Sequence, residues 1–134
     1  MVDQDPVTIL LVDDALSLRT ALKMELLGAG YTVLEAISGM DGLDLVTSHK
    51  GIIELIIADQ NMPVMSGLEM VTKIRELKDN ANSNCKVIFL TSDNTPPLRQ
   101  ASLDLKTLGI ISKPVKPPAL LALVKKVASN AKPK

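Results

Sequence analysis

The sequence has very few aromatic residues. Among its 134 residues there is no tryptophan, one tyrosine (Tyr31) and one phenylalanine (Phe89). Proteins that bind single-stranded nucleic acid stack bases on several aromatic rings, so this type of surface is excluded. The formal net charge is also zero, with 15 basic and 15 acidic residues, which gives no overall attraction to nucleic acid or to anionic membranes. We therefore expect no direct binding of nucleic acid.

Cysteine, histidine and long apolar segments are equally scarce. Cys85 is the only cysteine and His49 the only histidine, which excludes an internal disulfide and a cysteine metal cluster. The longest apolar runs, such as Leu55 to Ala58 (LIIA), are far shorter than the ~20 residues of a membrane-spanning helix. The N-terminus carries acids where a signal peptide has basic residues. These absences predict a cytoplasmic protein without membrane insertion.

Short apolar runs instead alternate with amphipathic segments along the whole chain. Runs of branched apolar residues are typical of parallel strands that are buried on both faces, and apolar residues at helical spacing indicate the helices between them. The predicted strands are 7–12, 31–36, 52–58, 86–90 and 110–111, and the predicted helices are 16–27, 39–49, 68–77, 96–108 and 117–127. This order predicts a flavodoxin-like, doubly wound five-stranded parallel sheet of order 2-1-3-4-5 with five helices. We expect one domain over 5–128 and a disordered tail over 129–134.

Polar side chains follow the apolar runs at the point where each predicted strand ends. In a doubly wound parallel sheet these carboxyl ends meet at one edge, where ligands bind. Any one such residue alone is more often a cap or a turn former, but five at one predicted edge indicate a site. The five residues are Asp13, Asp14, Asp59, Thr91 and Lys113.

These residue types favour a magnesium site that supports phosphoryl transfer. Three neighbouring carboxylates repel one another unless a cation neutralises them, and Mg²⁺ prefers carboxylates, water and phosphate oxygens. Phosphoryl transfer depends mainly on positioning and charge stabilisation, and a carboxylate can be the acceptor. Asp59 is the predicted nucleophile because Asp13 and Asp14 form a metal-binding pair, while Thr91 and Lys113 supply a hydroxyl and a positive charge for the phosphoryl group.

Four segments resemble the receiver domains of bacterial response regulators, of which the single-domain chemotaxis regulator is the minimal form. The resemblance covers about Thr8 to Val127. The matching segments are ILLVDDALSLR, LIIADQNMPVMSG, VIFLTS and ISKPV.

The resemblance implies a partner and a set of roles. A histidine kinase or a histidine phosphotransfer protein would donate a phosphoryl group to Asp59, and the receiver would catalyse much of the transfer and later hydrolyse the acyl phosphate. It would thus be a phosphoacceptor and not an enzyme acting on an external substrate. Asp14, Asp59 and the backbone carbonyl of Asn61 would bind Mg²⁺ directly, and Asp13 through a bound water. Asn61 and Asp93 would tune dephosphorylation.

The same resemblance implies a cis peptide between Lys113 and Pro114, and it also exposes a departure. Receivers usually carry an aromatic residue three positions before the lysine, and here that position is Ile110. In similar receivers this ring swings inward as the threonine moves toward the phosphoryl group. We therefore expect Thr91 to move in this way here, without the accompanying movement of a ring.

The preferred interpretation is a stand-alone receiver, a monomer or weak dimer, that binds a downstream protein target when phosphorylated. No output segment follows Val127 in this sequence, although an output domain would be missing if the chain were a fragment.

Two alternatives are a pseudo-receiver interaction module and an aspartyl-phosphate Mg²⁺-dependent hydrolase. The hydrolase needs a general acid two residues after its nucleophile, where Asn61 stands. A flavin or dinucleotide carrier is disfavoured because the DDALSLR loop lacks glycines.

Overall fold

A computed structural model of the protein describes the backbone of residues 6–131 and the side chains up to Ala128. The strands are β1 (Thr8–Val12), β2 (Thr32–Ala36), β3 (Leu55–Asp59), β4 (Lys86–Thr91) and β5 (Gly109–Ser112). The helices are α1 (Leu16–Gly28), α2 (Gly39–Ser48), α3 (Gly67–Arg75), α4 (Pro96–Asp104) and α5 (Pro117–Ala131). All neighbouring strands are parallel and their order is β2-β1-β3-β4-β5. The predicted fold is confirmed.

The hydrophobic core lies in two layers, one on each face of the sheet. Successive residues of a strand point to opposite faces, so Leu10 and Val12 belong to one layer and Ile9 and Leu11 to the other. The first layer is covered by α2 and α3, and the second by α1 and α5. Because both faces are covered, the central strands β1, β3 and β4 are apolar along most of their length, and their polar residues lie at the strand ends.

The helix α4 ends at Asp104, before the predicted end at 108. Lys106 adopts a left-handed conformation with φ of 59°, and the Thr107 N–H donates a hydrogen bond of 3.1 Å to the Ser102 carbonyl. This pairing closes the helix in a Schellman motif, which glycine usually provides. With lysine in that place the sequence carried no stop signal, and Leu108, which the prediction included in the helix, lies beyond its end and is exposed.

Two further boundaries differ from the sequence prediction by more than two residues. The strand β3 begins at Leu55 rather than at residue 52, because Ile52 is exposed and the Ile53 N–H donates to the side chain of Asn82 (2.8 Å). The disordered tail was expected over 129–134, but the backbone of α5 continues to Ala131 and 132–134 lie outside the described residues.

Within the part of the chain that the structure describes, no helix is both long and apolar enough to cross a membrane.

The start of α3 packs directly against the end of β3 through Gly67. A Cβ atom on Gly67 would lie 2.6 Å from the carbonyl oxygen of Asp59 and 3.2 Å from the Cα atom of Gln60. Ser66 caps the same helix by accepting a hydrogen bond from the Glu69 N–H (3.1 Å). Only glycine allows the helix to start this close to Asp59.

We predict that Gly67→Ala lowers the free energy of unfolding by about 1–3 kcal/mol, because the added methyl group overlaps rigid backbone. Gly28→Ala is the matched control, since nothing lies within 4 Å of a Cβ atom at Gly28, and it should change stability by at most about 1 kcal/mol. Urea denaturation of both variants measures the difference. Equal stability of the two variants would contradict the close packing at Asp59.

Candidate functional site

Strand register places the predicted site residues at one edge of the sheet. Val12 of β1 pairs with Ala58 of β3, and Thr91 of β4 pairs with Ser112 of β5. The side chains at or just after these positions therefore share the carboxyl edge. They are Asp13, Asp14, Asp59, Thr91 and Lys113, all five of those predicted from the sequence.

Asp13, Asp14 and Asp59 form an acidic cluster at this edge. One carboxylate oxygen of each residue lies within 4.8 Å of those of the other two. Asp59 is 1% exposed and Asp13 3% exposed, while Asp14 is open to solvent. Two of the three acids are therefore largely removed from water. Like charges repel more strongly in the protein interior than in water, because the interior screens them less.

Asp13 has three of its four polar groups occupied. Its N–H donates to the Ala36 carbonyl (3.1 Å), its carbonyl accepts from Nη1 of Arg19 (2.7 Å), and its Oδ1 accepts from the Ala15 N–H (2.8 Å). Its Oδ2 is buried without a hydrogen-bond partner. A buried carboxylate oxygen without a partner is costly, and a hard cation between the three acids would satisfy it through one of its bound waters, so the residues present fit Mg²⁺.

The environment of Asp13 favours its protonated form. Burial raises the pKa of the Asp13 carboxyl; the hydrogen bond from the Ala15 N–H opposes this rise, and the negative charge of Asp59 adds to it. The nearby Lys113 lowers the pKa and Asp14 raises it, both by smaller amounts.

Lys113 offsets part of the negative charge by pairing with Asp59. Its Nζ donates to Asp59 Oδ1 at 3.0 Å, and the Asn61 N–H donates to the same oxygen at 3.0 Å. The Lys113 N–H donates to the Thr91 carbonyl (2.7 Å), and the peptide to Pro114 is cis, as the resemblance implied. These contacts hold the Asp59 carboxylate and the Lys113 amine in a defined relative position.

The Thr91 hydroxyl is engaged with Asn61. It donates to Asn61 Oδ1 at 3.1 Å and accepts from the Asp93 N–H at 3.0 Å. Asn61 Oδ1 also accepts from the N–H and the hydroxyl of Ser92, at 3.1 and 3.2 Å. The loop after β3 is thereby linked to the loop after β4 by one side-chain oxygen.

Ile110 is half-buried in β5 and lines a cavity of about 220 Å³ between α4 and β5. Asn94, Arg99 and Ser102 line the same cavity. Similar receivers carry an aromatic ring at the position of Ile110, which lines this cavity. Ile110 therefore faces this cavity, whereas Pro114 lines a different one together with Ile111 and Leu120.

Sequence reasoning missed Arg19 and Ser92 as parts of the site. Arg19 is 8% exposed and shares the inner face of α1 with Leu22 and Leu26. A signal for Arg19 was present, since its spacing of three and seven residues from these leucines places it on the apolar face. Ser92 gave no signal beyond following Thr91.

Comparison with known proteins identifies the class to which this fold and site belong. The profile of the response regulator receiver domain matches residues 9–125. The chain belongs to this family, the receiver domains of two-component response regulators, and the resemblance inferred from the motifs is confirmed.

Solved structures and curated relatives agree with this assignment. A CheY-like receiver domain protein of Methanospirillum hungatei is 27% identical with a TM-score of 0.84, covering 95% of this chain and 97% of that one. The chemotaxis response regulator CheY4 of Vibrio cholerae is 30% identical with a TM-score of 0.77, covering 92% and 99%. The response regulator MprA of Mycobacterium sp. strain KMS is 30% identical over 128 residues, which are 96% of this chain and 53% of that protein. The chain spans about half the length of the curated relatives it matches.

We predict that Asp13→Asn raises the melting temperature at neutral pH without Mg²⁺. The pKa of Asp13 is raised in the folded state from its ordinary value of 3.8, so the ionised carboxylate destabilises the fold above its folded-state pKa. Below the unfolded value both states are protonated and the penalty is absent. The gain should therefore shrink as the pH falls toward 3.8.

Thermal unfolding across this pH range measures the effect, with exposed Asp44→Asn as the control. Mg²⁺ should stabilise the wild type more than Asp13→Asn. A destabilised Asp13→Asn at neutral pH would contradict the description of an acidic cluster under repulsion.

Proposed function

We propose that the chain accepts a phosphoryl group on Asp59 in the presence of Mg²⁺ and signals by a change of its surface. The observation that carries this proposal is the combination of the Asp59–Lys113 ion pair at 3.0 Å with the unpartnered, buried Oδ2 of Asp13 in the acidic cluster. A positive charge and a vacant carboxylate oxygen then flank the same nucleophile.

The donor is a phosphohistidine of a histidine kinase or of a histidine phosphotransfer protein. The nitrogen–phosphorus bond breaks, its electron pair stays on the imidazole, and a new bond forms between phosphorus and a carboxylate oxygen of Asp59. The Asn61 N–H and Lys113 hold that carboxylate in place. Asp14, Asp59 and the Asn61 carbonyl would hold Mg²⁺, with Asp13 acting through a bound water. When bound, the ion neutralises charge on the carboxylates and phosphoryl oxygens.

Thr91 is the first residue to respond in this proposal. Its hydroxyl donates to the neutral amide oxygen of Asn61 before phosphorylation, and a phosphoryl group on Asp59 offers a charged acceptor that forms stronger hydrogen bonds. Transfer of the Thr91 hydrogen bond would free Asn61 Oδ1 and release the Ser92 contacts. The loop over 92–95, which leads into α4, would then change its position.

The surface that changes would lie around α4 and β5. Arg99 of α4 donates to the Asn94 carbonyl (3.1 Å), so movement of the loop after β4 is transmitted to the helix. The cavity beside Ile110 gives α4 room to repack without a swinging aromatic ring. A downstream protein target would bind this surface, in a cytoplasmic setting and without contact to nucleic acid by this domain.

A receiver that is part of a longer regulator is a second possibility. Curated relatives of about twice this length include a probable transcriptional regulator of Pyropia yezoensis, of which this chain covers 50%. In that case the same surface would contact an output domain rather than a separate protein. The phosphoacceptor chemistry at Asp59 is the same for both possibilities.

The pseudo-receiver and the hydrolase are less well supported. A pseudo-receiver requires a defective site, whereas the acidic cluster, Thr91 and Lys113 are all present at one edge. A hydrolase requires a proton donor two residues after Asp59, and Asn61 uses its side-chain oxygen there as a hydrogen-bond acceptor. We therefore propose a phosphoacceptor that does not turn over external substrates.

We predict that incubation with Mg²⁺ and a small acyl phosphate or phosphoramidate adds one phosphoryl group to the wild type. Asp59→Asn should remain unmodified because an amide is not a nucleophile of this type, and exposed Asp44→Asn should react like the wild type. Intact-mass measurement follows the adduct. An unmodified wild type would favour the pseudo-receiver, and continuous hydrolysis of unrelated phosphate esters would favour the hydrolase.

We also predict that the phosphoryl group is short-lived. Asn61 and Asp93 are exposed beside Asp59 and Thr91, so water can reach the acyl phosphate between their short polar side chains. The loss of phosphate after removal of the donor measures the lifetime. A lifetime of many hours would be inconsistent with this role of Asn61 and Asp93.

A further inference from the structure

We propose that Arg19 is a positioning residue for the metal site, and that Glu35 and Lys23 orient it. This inference rests on the proposed function, because it concerns the affinity of the acidic cluster for Mg²⁺. It adds three charged residues next to the cluster, of which Arg19 is buried and Glu35 and Lys23 are partly exposed. We call Arg19, Glu35 and Lys23 the support triad.

Arg19 donates hydrogen bonds in two directions from a buried position. Its Nη1 donates to the carbonyl oxygen of Asp13 at 2.7 Å, and its Nε donates to Glu35 Oε1 at 3.0 Å. The residue is 8% exposed and projects from the apolar face of α1. Burial of a guanidinium is unfavourable unless its hydrogen bonds are satisfied in fixed geometry, so the position of Arg19 is well defined.

The Asp13 carbonyl belongs to the peptide group that joins Asp13 to Asp14. Arg19 therefore fixes the plane of the peptide that carries two of the three acids in the cluster. The N–H and Oδ1 of Asp13 are held by Ala36 and Ala15, which leaves Oδ2 as the free group. Fixing the main chain in this way directs Oδ2 into the cluster.

Glu35 and Lys23 hold Arg19 in its orientation. Lys23 Nζ donates to Glu35 Oε2 at 2.7 Å while Arg19 occupies Glu35 Oε1, so the carboxylate bridges two cations. The bond from Lys23 is the largest cause that lowers the pKa of Glu35, and the bond from Arg19 acts in the same direction. Glu35 lies on β2 and Arg19 on α1. The support triad thus ties these two elements to the end of β1.

The contacts indicate that Arg19 acts through position and not through charge on the acids. Among the described residues, its guanidinium donates to the main-chain carbonyl of Asp13 and to Glu35, and to no carboxylate of the acidic cluster. A guanidinium offers a rigid fork of donors that a lysine ammonium lacks. Charge and position can therefore be separated by substitution.

The test is a Mg²⁺ titration of wild type, Arg19→Met and Arg19→Lys, followed by the backbone amide NMR signals of residues in the acidic cluster. We expect about tenfold weaker Mg²⁺ binding by Arg19→Met, as found when residues that orient metal ligands are replaced. Arg19→Lys, which keeps the charge, should also bind Mg²⁺ more weakly than the wild type. Lys23→Met should have a smaller effect, because Lys23 is one step further from Asp13.

Leu26→Ala is the matched control for a purely structural effect. Leu26 is buried on the same face of α1, two turns further along the helix than Arg19, and packs in an apolar layer, so this variant should be less stable and keep wild-type Mg²⁺ affinity. If Arg19→Met does not fold, Glu35→Gln supplies the same test, since it weakens only the support of Arg19 and should also lower the affinity.

The outcomes separate this inference from the proposed function. Wild-type Mg²⁺ affinity in Arg19→Met, or full recovery in Arg19→Lys, would overturn the positioning role while leaving phosphorylation of Asp59 intact. Equal losses of affinity in Leu26→Ala and Arg19→Met would also overturn it. A wild type that binds no Mg²⁺ would overturn the inference together with the metal-dependent function.

Discussion

The mutual repulsion of Asp13, Asp14 and Asp59 is the constraint on which the remaining features of the site depend. Strands β1 and β3 are neighbours in a sheet buried on both faces, and they bring the three carboxylates together at its edge. Lys113 offsets part of the charge through Asp59, and hydrogen bonds to the backbone of Asp13 hold it in place despite the repulsion. In the proposed function, local stability is exchanged for affinity toward a cation and a phosphoryl group.

Much of this arrangement could be predicted because it follows from strand periodicity. Apolar runs that stop at an acid, a threonine or a lysine define both the strands and the edge at which their ends meet. Contacts that depend on side-chain geometry could not be predicted in the same way. The sequence indicates a hydroxyl at Thr91 but not its hydrogen bond to Asn61, and the left-handed Lys106 that ends α4 carries no glycine signal. Arg19 was recognisable as a charged residue on an apolar helix face, yet its acceptor, a main-chain carbonyl, was not.

The proposed route from the site to the surface differs from that expected of a receiver with an aromatic switch residue. One oxygen of Asn61 connects the loops after β3 and β4, and Arg99 connects the second loop to α4. Ile110 beside the cavity permits movement of α4 but has no ring to occupy alternative positions. In this account the conformational signal is therefore carried by the exchange of hydrogen-bond partners at Thr91.

The proposed phosphorylation of Asp59 is tested most directly by locating the acyl phosphate within the chain. Borohydride reduces an acyl phosphate of aspartate to homoserine and leaves free carboxylates unchanged, so peptide sequencing by mass spectrometry after phosphorylation and reduction reports the modified residue. The account predicts homoserine at position 59 and unchanged aspartate at positions 13 and 14. Homoserine at position 13 or 14, or phosphate retained on a residue other than Asp59, would contradict it.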